Sequence, residues 1–143
     1  MKRICKSLFV AGLMACASVG AFAQGKLTLD DINIRDPFIV PVAEEGVYYM
    51  YSSSSVKENG AVYGGVMAYK SKDLKHWDAP VRVFDVPRDN YLTGVVWAPE
   101  VHKYNGKYYL FATMNSDIVW KAPKKGHPAY THRATQIYWA DRP

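Results

Sequence analysis

The chain states one pattern twice. Asp36-Pro37-Phe38-Ile39 is echoed by Ala98-Pro99-Glu100-Val101, and the two prolines stand 62 residues apart. Each opening is followed by a tyrosine-rich run, Val47-Tyr48-Tyr49-Met50-Tyr51 in the first case and Lys107-Tyr108-Tyr109-Leu110-Phe111 in the second. A third echo joins the strand around Met67 to Gln136-Ile137-Tyr138-Trp139-Ala140, with Ile137 placed 70 residues after Met67. Similarity at a long, fixed spacing marks a repeat architecture, whose units bury their faces against one another. Short aromatic strands punctuated by glycine, about four to a unit, are the build of propeller blades. The fold class is therefore all-β, with a first blade over about 33–85 and a partial second blade over about 94–143.

Within the first unit, residues 47–51 read as a strand that the serines at 52–55 close. A polar loop over 57–60 follows, with its turn at Asn59-Gly60. Residues 65–69 form the next strand, Ser71 to Trp77 a tight polar turn, and Val81-Arg82-Val83-Phe84 an alternating fourth strand. No stretch after residue 23 sustains a 3.6-residue period, so helices are not expected.

Residues 1–23 have the features of an export signal. Lys2, Arg3 and Lys6 precede an apolar run, and Ala21-Phe22-Ala23 supplies a small-residue cleavage site before Gln24. The run is too short and too rich in small residues for a membrane span. A rival reading takes Leu13-Met14-Ala15-Cys16 as a lipoprotein signal, with Cys16 as the anchor. Cleavage after Ala23 would leave 120 residues, enough for one domain, and would remove both cysteines. An exported chain without cysteine is held by packing alone. Cleavage would also leave 15 basic against 13 acidic residues, so the basicity belongs to the signal and no nucleic-acid partner is implied.

Asp36 is the first candidate for chemistry. Proline removes a backbone donor and pushes the residue before it toward an extended conformation. A carboxylate fixed at the mouth of a strand is well placed to aim a base at a substrate. Asp-Pro is also an ordinary turn opener, and the dipeptide alone does not separate the two readings.

Asp36-Pro37-Phe38-Ile39, Ser71-Lys72-Asp73-Leu74-Lys75-His76-Trp77 and Trp97-Ala98-Pro99-Glu100-Val101 together resemble glycoside hydrolase family 43. Tyr104 to Phe111 resembles that family's next strand pair, and Ala134 to Asp141 its third strand in the second blade. The resemblance implies a five-bladed β-propeller of inverting glycosidases that act on arabinose- or xylose-containing plant polysaccharides. It places the active site at one end of the central channel and implies three catalytic carboxyl groups. Asp36 matches the general base. Trp97 matches an indole on the wall of the sugar site, although a core tryptophan between blades is the other reading. In the family the acid of the Trp-Ala-Pro-acid motif supports the pocket and is not the proton donor, so Glu100 is expected to do the same.

Five repeats of about 62 residues need roughly 310, so the pKa-tuning Asp and the general acid are expected beyond Pro143. This stretch alone is then expected to be inactive, with blade faces left uncovered. A non-catalytic carbohydrate-binding or assembly module is the alternative function. His102, His127 and His132 lack metal-ligand spacing and read as solvated or loop residues. No metal site or cofactor is evident, and a structural calcium stays open. Lys121 to Lys125, with Gly126 and Pro128, reads as a solvated basic loop, and Asp117 and Asp141 as strand ends.

Overall fold

A computed structural model describes residues 26–143 apart from Thr93, so the segment expected to be an export signal, Cys16 included, lies outside the described residues. Seven strands follow a short 3-10 turn at Leu29–Asp31: β1 (Phe38–Val42), β2 (Val47–Glu58), β3 (Ala61–Ser71), β4 (Val81–Asp85), β5 (Val96–Tyr104), β6 (Lys107–Lys121) and β7 (Tyr130–Ala140). They form two antiparallel sheets, β1-β2-β3-β4 and β5-β6-β7, which are the expected complete and partial blades. Asn59 and Gly60 turn β2 into β3 with φ values of 49° and 83°, the left-handed pair that a two-residue hairpin matching the strand twist requires. No helix among the described residues is long and apolar enough to cross a membrane.

Two expectations about strand ends need correction. Ser52–Ser55 do not close β2; they run on through it, paired in register with Met67, Val66, Gly65 and Gly64. Serine is a weak strand former, but the partner strand supplies a continuous ladder, and Ser54 Oγ accepts a hydrogen bond from Arg82 Nη1 at 2.9 Å. Likewise Asp117 does not end a strand, because β6 continues to Lys121 against β7.

The core lies between the two sheets. Val40, Val42, Val47, Tyr51, Val66 and Ala68 from the first face Val96, Val101, Tyr108, Ala112 and Met114 from the second. Val86 and Leu92, on the connection between β4 and β5, complete it. That connection is fastened by Asn90, whose Nδ2 donates to Gln136 Oε1 at 2.6 Å and to the Tyr138 hydroxyl at 3.3 Å. Side-chain alternation leaves the far face of the second sheet open, where Ile137 and Trp139 are 58% and 61% exposed.

The Ser71–Trp77 turn is built by short-range polar bonds. Ser71 Oγ accepts from the amides of Asp73 and Leu74, and Asp73 Oδ1 accepts from those of Lys75 and His76. Asp73 Oδ2 lies 2.7 Å from His76 Nδ1. Trp77, 1% exposed, closes the turn through a reciprocal backbone pair with Leu27. The His76 side chain first, then the His76 and Lys75 amides, hold the Asp73 carboxyl well below the usual carboxylate range. A depressed folded-state pKa means stability that is full above the unfolded value of about 3.9 and is lost as pH falls through the folded one. The gap in urea midpoint between wild type and Asp73→Ala is expected to be constant above about pH 5 and to close below it. A gap unchanged down to pH 2 would show that the carboxylate contributes nothing through its charge.

Candidate active site

Asp36 and Ala98 precede the two echoed prolines, and both hold left-handed backbone, with φ values of 49° and 41°. This corrects the extended conformation expected of Asp36. Aspartate reaches this region several-fold more readily than most residues, whereas alanine does not, and such strain costs on the order of 1–3 kcal/mol. At Ala98 the surroundings impose it. Trp97 pairs with Thr113 and Glu100 with Phe111, so Ala98 and Pro99 together oppose the single residue Ala112 in a bulge, and Pro99 is fully buried. Bulges bend a strand and re-aim the side chains beside them. The shared kink at the head of both inner strands shows that the sequence echo is a backbone echo.

The two kinks border one cleft of about 540 Å³. Arg35, Asp36 and Ser53 line it from the first sheet, and Val95, Val96, Trp97 and Ala98 from the second. Asp36 is the one carboxylate among these residues. Its Oδ2 lies 3.4 Å from Arg35 Nε, an exposed pair of the kind that contributes at most about 1 kcal/mol. Trp97 is 38% exposed and lines the cleft. The Arg133 guanidinium stands 4.9 Å from the centre of the Trp97 ring.

Glu100 does not join Asp36 in the cleft. Its Oε2 lies 3.0 Å from His102 Nε2, and the His102 ring packs 5.0 Å from Phe38 and 5.5 Å from Phe111. His102 and His132 are exposed strand residues and not loop residues, whereas His127 sits in the β6–β7 connection. Among the described residues no three or more His, Cys, Asp or Glu converge as a metal site would require. Ser71, Asp73 and His76 are close in sequence but do not form a nucleophile, since Ser71 Oγ lies 3.3 Å from Asp73 Oδ1 and makes no bond to His76.

A second hollow, between the sheets, is lined by Tyr51, Phe84, Tyr108, Leu110 and Tyr138 and holds no carboxylate. Burial pushes the Tyr51 and Tyr138 phenols up, which keeps them protonated and unsuited to base chemistry. Ser53 and Arg133 have no signal in the linear sequence. Ser53 reaches the cleft because β2 continues past Ser52. Arg133 reaches Trp97 through the register, in which Trp97 pairs with Thr113 and Thr113 with Thr135, two residues from Arg133.

Comparison with known proteins agrees with this architecture. The chain is 28% identical over 89 residues to the extracellular endo-α-(1→5)-L-arabinanase 1 of Bacillus subtilis, covering 58% of this chain and 25% of that protein. The crystal structure of an endo-arabinase from Bacteroides thetaiotaomicron superposes with a TM-score of 0.61 at 29% identity, covering 84% of this chain and 35% of that one. The native arabinanase Arb43A of Bacillus subtilis shares the fold with a TM-score of 0.53 at 20% identity, over 78% of this chain and 34% of that one. The chain thus spans about a quarter to a third of the length of these relatives. The profile of glycosyl hydrolases family 43 matches residues 31–142, and the chain belongs to that family.

Proposed function

We propose that the protein hydrolyses the glycosidic bonds of an arabinose-containing polysaccharide outside the cytoplasm, with Asp36 as the general base. One observation carries this reading: Asp36 and Trp97, from different sheets, line the same cleft. A carboxylate beside an exposed indole is the minimum for holding a sugar and activating a water against it. The flat apolar ring suits the C–H face of a pentose, and the carboxylate takes the proton of the attacking water. The similarity to endo-arabinanases favours arabinan over xylan as the substrate.

An inverting mechanism needs a second carboxyl group roughly 6.5–9.5 Å from the base, leaving room for water between them. Asp36 is the one carboxylate among the described residues that line the cleft, so on this reading the proton donor is a group other than these. Glu100, engaged with His102, acts as a support for the inner strands and not as that acid.

The test is hydrolysis by the full-length protein of linear α-1,5-arabinan and, in parallel, of xylan. Arabinose oligomers are the expected product. Binding without hydrolysis over days would instead make the protein a carbohydrate-binding module. Trp97→Ala should lower kcat/KM by about tenfold, the equivalent of roughly 1.4 kcal/mol of lost ring contact. An unchanged kcat/KM would remove Trp97 from the sugar site.

A further inference from the structure

We propose that the outer end of the β6–β7 hairpin is a second saccharide surface, continuous with the cleft, that takes the uronate-bearing part of a polysaccharide. The proposal rests on reading the cleft as a glycan site, and it adds a class of ligand that the cleft does not require. Past Asn115 the two strands stay paired through Val119 with Thr131 and Lys121 with Tyr130, with register shifts that twist them. Residues 122–129 then connect them.

This arm presents its aromatic side chains to solvent. Trp120 is 60% exposed, and its ring lies 5.6 Å from that of Tyr130 at an angle of 56°. A cross-strand aromatic pair of this kind adds roughly 0.2–1 kcal/mol to a hairpin, which accounts for the pairing but not for leaving an indole in water. Trp120 and Tyr130, with Thr131, His132 and Arg133, border a hollow of about 480 Å³. Arg133 joins this hollow to the cleft, because the same guanidinium stands over Trp97.

Charge decides the ligand. From Ile118 to Arg133 the chain carries Lys121, Lys124, Lys125 and Arg133 and no acidic residue, with Asp117 at the root of the arm. The loop that reads in sequence as merely solvated is thus set beside an aromatic hollow. A neutral pentose polymer can stack on such rings but gives the cations nothing to bind. A chain carrying hexuronates offers a C–H face for Trp120 and Tyr130 and carboxylates for the lysines and for the planar fork of Arg133.

The experiment measures binding of the full-length protein to polygalacturonate at about 0.1 M salt, where exposed charges are already screened beyond roughly 10 Å. Wild type is expected to bind, and Trp120→Ala and the Lys124→Ala/Lys125→Ala pair each to weaken binding by at least about tenfold with unchanged melting temperatures. Lys57→Ala, which removes an exposed cation of β2 that borders neither hollow, is expected to keep it. Absence of binding in wild type would overturn the proposal. So would equal binding of dextran sulfate with no effect of Trp120→Ala, which is adsorption of any polyanion. Tighter binding to anionic phospholipid vesicles than to polygalacturonate would assign the arm to a membrane surface and overturn it as well. Failure to hydrolyse arabinan would sink the function proposed above while leaving this binding measurement readable.

Discussion

Asp36→Asn in the full-length protein should lower the turnover of arabinan by roughly 10²–10⁴-fold, the usual contribution of a positioned general base. The melting temperature should barely move. Asp36 is exposed, and its ion pair with Arg35 is an exposed one at 3.4 Å. Asparagine is the right replacement for a structural reason. The residue here holds φ at 49°, and asparagine enters that region about as readily as aspartate, whereas alanine would add backbone strain to the loss of the carboxylate. The apparent KM should change little, because the lost interaction is made with the attacking water in the transition state and not with the resting substrate. The anomeric form of the first product, read by NMR, adds a second check. Inversion fits a base acting through water, while retention would make the carboxylate a nucleophile. A variant that keeps its rate would remove Asp36 from the mechanism altogether.

What the sequence revealed depended on how local each signal was. The turn at Asn59-Gly60 is legible because both residues reach positive φ and nothing distant is needed to place them. The echo of Pro37 in Pro99 is legible for a related reason, since the same backbone kink recurs at Asp36 and Ala98. The extension of β2 through Ser52–Ser55 is not, because it is decided by pairing with Gly64 to Met67 on another strand. The left-handed backbone at Asp36 was hidden by the ordinary rule for residues before proline, which the tertiary structure overrides. In the cleft, Asp36 and Trp97 could be named from their motifs, but their shared location depends on how the two sheets pack. Arg133 could not be named at all. It reaches Trp97 only across two strand pairings, and no spacing in the chain encodes that.

The packing of the two sheets is itself open to test, at Gly64. A methyl group added there would stand 2.4 Å from the Gly94 carbonyl oxygen, 2.9 Å from Val96 N and 3.1 Å from Val95 Cα. All three are backbone atoms of the segment entering β5, so no side chain can swing aside to make room. Gly64 does not use left-handed backbone, which leaves close approach as the reason for glycine. Replacing glycine by alanine also stiffens the unfolded chain, a gain of about 0.4–1 kcal/mol. Overpacking against an immobile neighbour costs typically about 1–3 kcal/mol and should prevail here. Gly64→Ala is therefore expected to lower the melting temperature by several degrees. Ser55→Ala, changed at the exposed residue that pairs with Gly64, should stay within about 0.5 kcal/mol of wild type. Gly64→Ala should also lose activity beyond its loss of stability. Val95 and Val96 line the cleft, so the shift that relieves the clash moves Trp97 relative to Asp36. A misplacement of about 1 Å at a reacting centre can cost on the order of 10²-fold in rate. Arabinan hydrolysis measured well below the variant's melting temperature reads this second effect separately. If Gly64→Ala melts with wild type and keeps its rate, the sheets do not meet through this glycine, and the cleft is not held by their contact there.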